Sequence, residues 1–122
     1  MIKGIHHVSI LTSDVARSIK FYSGILGLTP SDKRPDLGFE GTWFELGQQQ
    51  VHLIQADPVP ATGKSNVRGG RDRHIAFQVD DINHLIEILE SEGIEFERSR
   101  TGRAALFCRD PDGNALEFID SN

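Results

Sequence analysis

A chain of 122 residues suits one compact domain, since that length buries most of its apolar surface without covalent staples. Cys108 is the only cysteine and cannot close an internal disulfide; no charged-then-apolar leader or long apolar run is found, so a reducing cytoplasm is expected and a membrane span is not. Thirteen Lys and Arg against eighteen Asp and Glu give a net charge of −5, the wrong sign for a nucleic-acid binder, and small molecules are the expected partners.

The first element is strand-like, His7-Val8-Ser9-Ile10-Leu11-Thr12, followed by Ser13-Asp14. Val15, Ile19, Tyr22 and Leu26 then recur at helical spacing. Ser13 or Asp14 can cap the helix by accepting from its free first-turn amides, and Gly27 supplies the left-handed residue that ends it. Strand-like runs follow at Leu28 to Lys33, Gly41 to Leu46 and Gln50 to Gln55, the last two joined by a tight turn at Gly47-Gln48-Gln49. Residues 56–73 are rich in Pro, Gly, Lys and Arg without apolar periodicity, and read as a linker or a mobile flap over a site.

The order of elements then repeats. His74-Ile75-Ala76-Phe77-Gln78-Val79-Asp80-Asp81 matches His7 to Asp14 as His-x-x-apolar-x-x-x-Asp. A second helix carries Ile82, Leu85, Ile86 and Leu89, with Asp80 or Asp81 at its start and Gly93 at its end. Strands are expected at Glu95 to Arg98, Ala104 to Arg109 and Asn114 to Ile119, with Asp110-Pro111-Asp112-Gly113 as a tight turn between the last two. Each half therefore reads βαβββ. The expectation is an α+β fold in which two tandem modules, 1–55 and 74–122, form a U-shaped, cupped mixed sheet with helices on its outer face.

Strand alternation sorts the side chains by face. Val8 and Ile10 share the helix-covered face of the first strand, leaving His7 and Ser9 on the other. The same rule puts His52, His74 and Glu117 on the uncovered face of their strands, at equivalent places in the two copies. Three imidazoles and a carboxylate suit one divalent ion, Zn²⁺, Ni²⁺, Co²⁺, Mn²⁺ or Fe²⁺, with positions left for substrate. A single strand histidine is more often a hydrogen-bonded structural residue than a ligand, but the repetition of all four favours a metal site. His6 is placed on the opposite face from His7, and His84 on a polar helix stripe. Trp43 and Glu45 share a face as a stacking surface and a base, or as core and solvated charge. Arg98, Arg100 and Arg103 can hold an anionic substrate or form a solvated turn. Ser9 can bond to a metal-bound ligand, and Cys108, without an activating neighbour on its strand, is taken as inert.

The motifs His7-Val8-Ser9-Ile10 to Asp14, Phe21-Tyr22 to Leu26-Gly27-Leu28, Arg73-His74-Ile75-Ala76-Phe77 to Asp81, and Asp110 to Glu117 span essentially the whole chain. In these it resembles the vicinal oxygen chelate superfamily, which includes glyoxalase I, fosfomycin-resistance thiol transferases, extradiol dioxygenases and bleomycin-binding proteins. The resemblance implies paired βαβββ modules around a metal, with ligands on the first and last strands of each, here His7, His52, His74 and Glu117. It further implies bidentate binding of two adjacent substrate oxygens and Glu117 as a ligand that also moves a proton. Leu11 and Ala56 stand where glyoxalase I keeps its glutathione-binding residues, and His52 where it keeps a glutamate, so glutathione adducts are disfavoured as substrates. The reading is a metal-dependent glyoxalase-like lyase or isomerase, in a homodimer. A thiol transferase or hydrolase acting on fosfomycin-like antibiotics, a dioxygenase and a ligand-sequestering protein are the alternatives.

Overall fold

The computed structural model describes residues 1–60, 67–68 and 72–121. The chain forms two compact units, Met1–Pro60 and Ala61–Asn122. Half of the expected linker, residues 61–66 and 69–71, lies outside the described residues.

In the first unit β1 (His7–Thr12) leads into α1 (Val15–Ile19), which continues as wider π-helical turns over Lys20–Ile25. β2 (Thr29–Pro30), β3 (Gly41–Leu46) and β4 (Gln49–Gln55) follow. The sheet order is β1-β4-β3-β2, with β1 parallel to β4 and the other pairs antiparallel. Of the two candidate caps it is Asp14 whose carboxylate accepts from the Arg17 amide at 3.0 Å. Of the expected inward residues Tyr22 is buried, whereas Val15, Ile19 and Leu26 are only half-buried; Ser18 and Phe21 are buried as well. The Leu26 amide reaches back five residues to the Phe21 carbonyl at 2.9 Å, the wider turn of a π-helix. Phe21 and Tyr22 meet edge to face at 5.0 Å, and Tyr22 lies 6.0 Å from Phe44 of β3.

β2 keeps two of the six expected residues. Pro30 has no amide to donate and this is the sheet's edge, so pairing stops after the Ser31 amide meets the Trp43 carbonyl at 2.8 Å. Gly41 opens β3 where a Cβ would collide with the carbonyl of Leu53.

The second unit repeats the plan with β5 (His74–Val79), α2 (Ile82–Ser91), β6 (Phe96–Arg98), β7 (Ala105–Arg109) and β8 (Ala115–Asp120). Its sheet order is β5-β8-β7-β6, the counterpart of the first. Asp81 caps α2 by accepting from the His84 amide at 3.0 Å. Gly93, at φ 68°, ends it as the Ile94 amide turns back to the Leu89 carbonyl at 2.9 Å. Leu85, Ile86 and Leu89 are buried, as are Leu106, Cys108, Leu116 and Phe118 of the sheet. Each fully buried leucine here is worth about 1.5–3 kcal/mol of transfer free energy. The architecture is therefore α+β, built from two tandem βαβββ units.

Candidate functional site

Each unit gathers two of the four expected ligands on the sheet face opposite its helix. In the second unit β5 and β8 run parallel with His74 opposite Ala115 and Ala76 opposite Glu117. This register puts His74 and Glu117 one step apart on one face, with His74 Nε2 3.4 Å from Glu117 Oε1. His74 Nδ1 lies 3.1 Å from the Asp72 carbonyl, which can only accept, so Nδ1 carries the proton and a neutral ring keeps its lone pair on Nε2. Glu117 is 8 % exposed, a buried carboxylate, and Arg103 reaches its Oε2 at 3.4 Å. Two donors each about 2.1 Å from an ion stand roughly 3.4 Å apart at a tetrahedral angle and about 3.0 Å apart at a right angle. A bare nitrogen and a carboxylate oxygen at this spacing fit a shared divalent ion.

In the first unit the neighbours of His52 are rings. β3 pairs Trp43 with His52 and β1 pairs Ser9 with it. The His52 imidazole stacks on the Trp43 indole at 4.3 Å on one side and on the His7 imidazole at 3.9 Å on the other. His52 Nε2 donates to Gln50 Oε1 at 2.8 Å, and Gln50 Nε2 donates to Glu45 Oε1 at 3.3 Å. Burial first, then the nearby charges of His7, His6 and Arg34, hold His52 below its ordinary pKa, with Glu45 opposing. Glu45 is itself held low, chiefly by a hydrogen bond from Ser31 and then by Gln50. The near-parallel rings of His7 and His52 send their in-plane lone pairs along separate planes and do not converge on a point about 2 Å from both. As they stand, these two do not fit one ion together. Among the described residues no group of three or more His, Cys, Asp and Glu side chains gathers to hold an ion.

The other expected residues fall as follows. Ser9 is exposed beside His52, Trp43 stacks on His52, and Glu45 reaches His52 through Gln50. Arg103 contacts Glu117, whereas Arg100 is exposed in the turn between β6 and β7. His84 is exposed on α2 beside Glu87, as expected. The placement of His6 is corrected: it precedes β1, so strand alternation does not govern it, and its Nδ1 lies 2.8 Å from His7 Nδ1. The sequence reading missed Gln50 as a partner of His52 and missed Asp72 and Arg109 altogether. For Gln50 the signal was present, in its place two residues before His52 on one strand face.

The sequence pattern of the glyoxalase/bleomycin resistance protein/dioxygenase superfamily matches residues 4–118. Glyoxylase I 4 of Arabidopsis thaliana is 31 % identical over 121 residues, covering 95 % of this chain and 70 % of its own. Metallothiol transferase FosB of Staphylococcus epidermidis is 29 % identical over 131 residues, covering 97 % and 84 %. A crystal structure from Bacillus anthracis, described as a glyoxalase family protein, superposes with a TM-score of 0.81 at 25 % identity, covering 100 % of this chain and 98 % of that one.

Proposed function

Because the chain belongs to the glyoxalase/bleomycin resistance protein/dioxygenase superfamily, we propose that it is a metal-dependent, glyoxalase-like lyase or isomerase acting on a small substrate with two adjacent oxygens. The observation that carries this is the His74–Glu117 pair, with its 3.4 Å donor spacing and the Asp72 carbonyl on the far ring nitrogen. The proposed ligand set is His7, His52, His74 and Glu117. At most one of His7 and His52 can ligate while their rings stay stacked. A divalent ion held by this set would polarise the two substrate oxygens and stabilise negative charge as it builds.

Glu117 is the residue proposed to move the proton. Its carboxylate is buried, which shields it from bulk water, and Arg103 lies 3.4 Å from Oε2. Trp43 and Ser9 are proposed to face the substrate, and the active form to be a cytoplasmic homodimer, which light scattering on the purified protein checks. A second reading, metal-dependent thiol transfer to an epoxide, is favoured by the likeness to FosB, a metallothiol transferase.

The test is elemental analysis of untagged protein with a His74→Ala control, followed by turnover of hemithioacetals and of epoxides with thiols. About one first-row divalent ion per chain, lost in the control, together with chelator-sensitive isomerisation supports the reading. Thiol addition alone favours the second reading, and protein that takes up no Ni²⁺, Mn²⁺, Zn²⁺ or Fe²⁺ overturns both.

A further inference from the structure

The segment before β5 and the end of β7 are joined by a second pair of charges. Arg109 Nη1 lies 2.7 Å from Asp72 Oδ2, and both side chains are almost fully buried, at 12 % and 10 % exposure. Such a pair is a poor source of net stability, because the desolvation of two charges offsets most of their attraction. What it fixes is geometry.

Three links lead from this pair to the ligands. The Asp72 residue whose carboxylate Arg109 grips also supplies the carbonyl that accepts from His74 Nδ1. The same Arg109 nitrogen donates to the Gly113 carbonyl at 2.9 Å, in the turn that delivers β8 and Glu117. Across the sheet Arg109, Ala115 and His74 form one row on one face, since Arg109 pairs with Ala115 and Ala115 with His74. Ala115, the residue between them, is buried. One guanidinium nitrogen is thus tied to the approaches of both ligand strands.

We infer that Arg109 and Asp72 are positioning residues for the His74–Glu117 pair: the ion pair pins the Asp72 peptide, the Asp72 carbonyl sets the tautomer and rotation of His74, and the Gly113 bond sets where Glu117 arrives. The inference rests on the metal-dependent reading above for its purpose, though not for its geometry. Partners of this kind behind a ligand typically change metal affinity by about 10- to 100-fold.

The experiment uses the full chain and two readouts. One is Co²⁺ titration followed by visible absorption; the other is the tautomer of His74 in metal-free protein, read from its ring nitrogen signals by NMR. The double variant Asp72→Ala/Arg109→Met replaces both charges with apolar groups. The expected result is a wild-type circular dichroism spectrum, loss of the Nδ1-protonated preference in the His74 ring nitrogen signals and a 10- to 100-fold weaker Co²⁺ affinity. A double variant with both readouts at wild-type values overturns the inference. Should it not fold, Asp72→Asn/Arg109→Gln, which removes both charges and keeps polar groups in their place, decides: either readout weakened supports the inference, and both unchanged overturns it. If wild type binds no Co²⁺ the metal-dependent reading fails, and the NMR signal alone then decides the positioning role.

Discussion

The imidazole of His52 lies flat on the indole of Trp43, with centroids 4.3 Å apart and planes within 5° of parallel. Trp43 is the only tryptophan, so its emission reports on this one contact. A protonated imidazole quenches indole fluorescence more strongly than a neutral one. His52 is held below its ordinary 6.5, so it stays neutral until the pH falls past that value. Emission should therefore drop with a midpoint below 6.5 and should lose this step in His52→Ala. A fluorescence titration checks it, and a midpoint above 6.5 would show that the stack does not set the ring's charge.

His74→Ala should abolish metal uptake and activity while leaving the far-ultraviolet spectrum intact. His74 is exposed on the face of its strand that does not pack on α2, and its truncation removes little from the core. His84→Ala should change uptake and activity little, because that ring is exposed and its ion pair with Glu87 is a solvated one of three-residue spacing. Equal losses in the two variants would mean that His74 acts through the fold.

Glu117→Gln keeps the shape of the side chain and removes its charge. If Glu117 moves the proton, kcat should fall by about 10²- to 10⁴-fold under metal concentrations that refill the site. Steady-state kinetics at saturating Mn²⁺ or Ni²⁺ measure this. A fall restored entirely by added metal would make Glu117 a ligand only.

The repeat made the fold legible. Two His-x-x-apolar-x-x-x-Asp segments, each followed by a capped amphipathic run, are enough to fix the βαβββ plan, and β3 spans the expected Gly41–Leu46. Alternation also put His74 and Glu117 on one face, and the observed register agrees. Three features were beyond such reasoning. The π turns of Lys20–Ile25 leave no mark in the apolar spacing, which reads as an ordinary helix. The stacking of His7, His52 and Trp43 depends on which strands are neighbours and in what register, which periodicity within one strand does not contain. Arg109 and Asp72 lie far apart in sequence, and each alone reads as a solvated charge.

Phe44 and Leu106 are fully buried, one in each sheet. Leu106→Ala should cost about 2–5 kcal/mol and Phe44→Ala about 3–5 kcal/mol, as transfer and cavity terms add. Leu46, at the exposed end of β3, should cost under about 0.5 kcal/mol when changed to Ala. Urea unfolding of the three variants compares them directly.

Cys108 is fully buried, and burial first, then the Asp110 carboxylate, push its thiol from 9.0 up to about 12. Between these two values the unfolded chain ionises its thiol while the folded chain keeps the proton, so the unfolded state binds fewer protons and folding stability falls as pH rises. The contribution is complete below 9 and lost progressively toward 12. Other groups that titrate in this range do so in wild type and in Cys108→Ala alike, so the difference between their urea midpoints isolates the thiol. Wild type should lose stability relative to Cys108→Ala over this window, and iodoacetamide should leave Cys108 unmodified in folded protein at pH 9. Rapid alkylation there, or parallel stability curves across the window, would show that the thiol reaches water without unfolding.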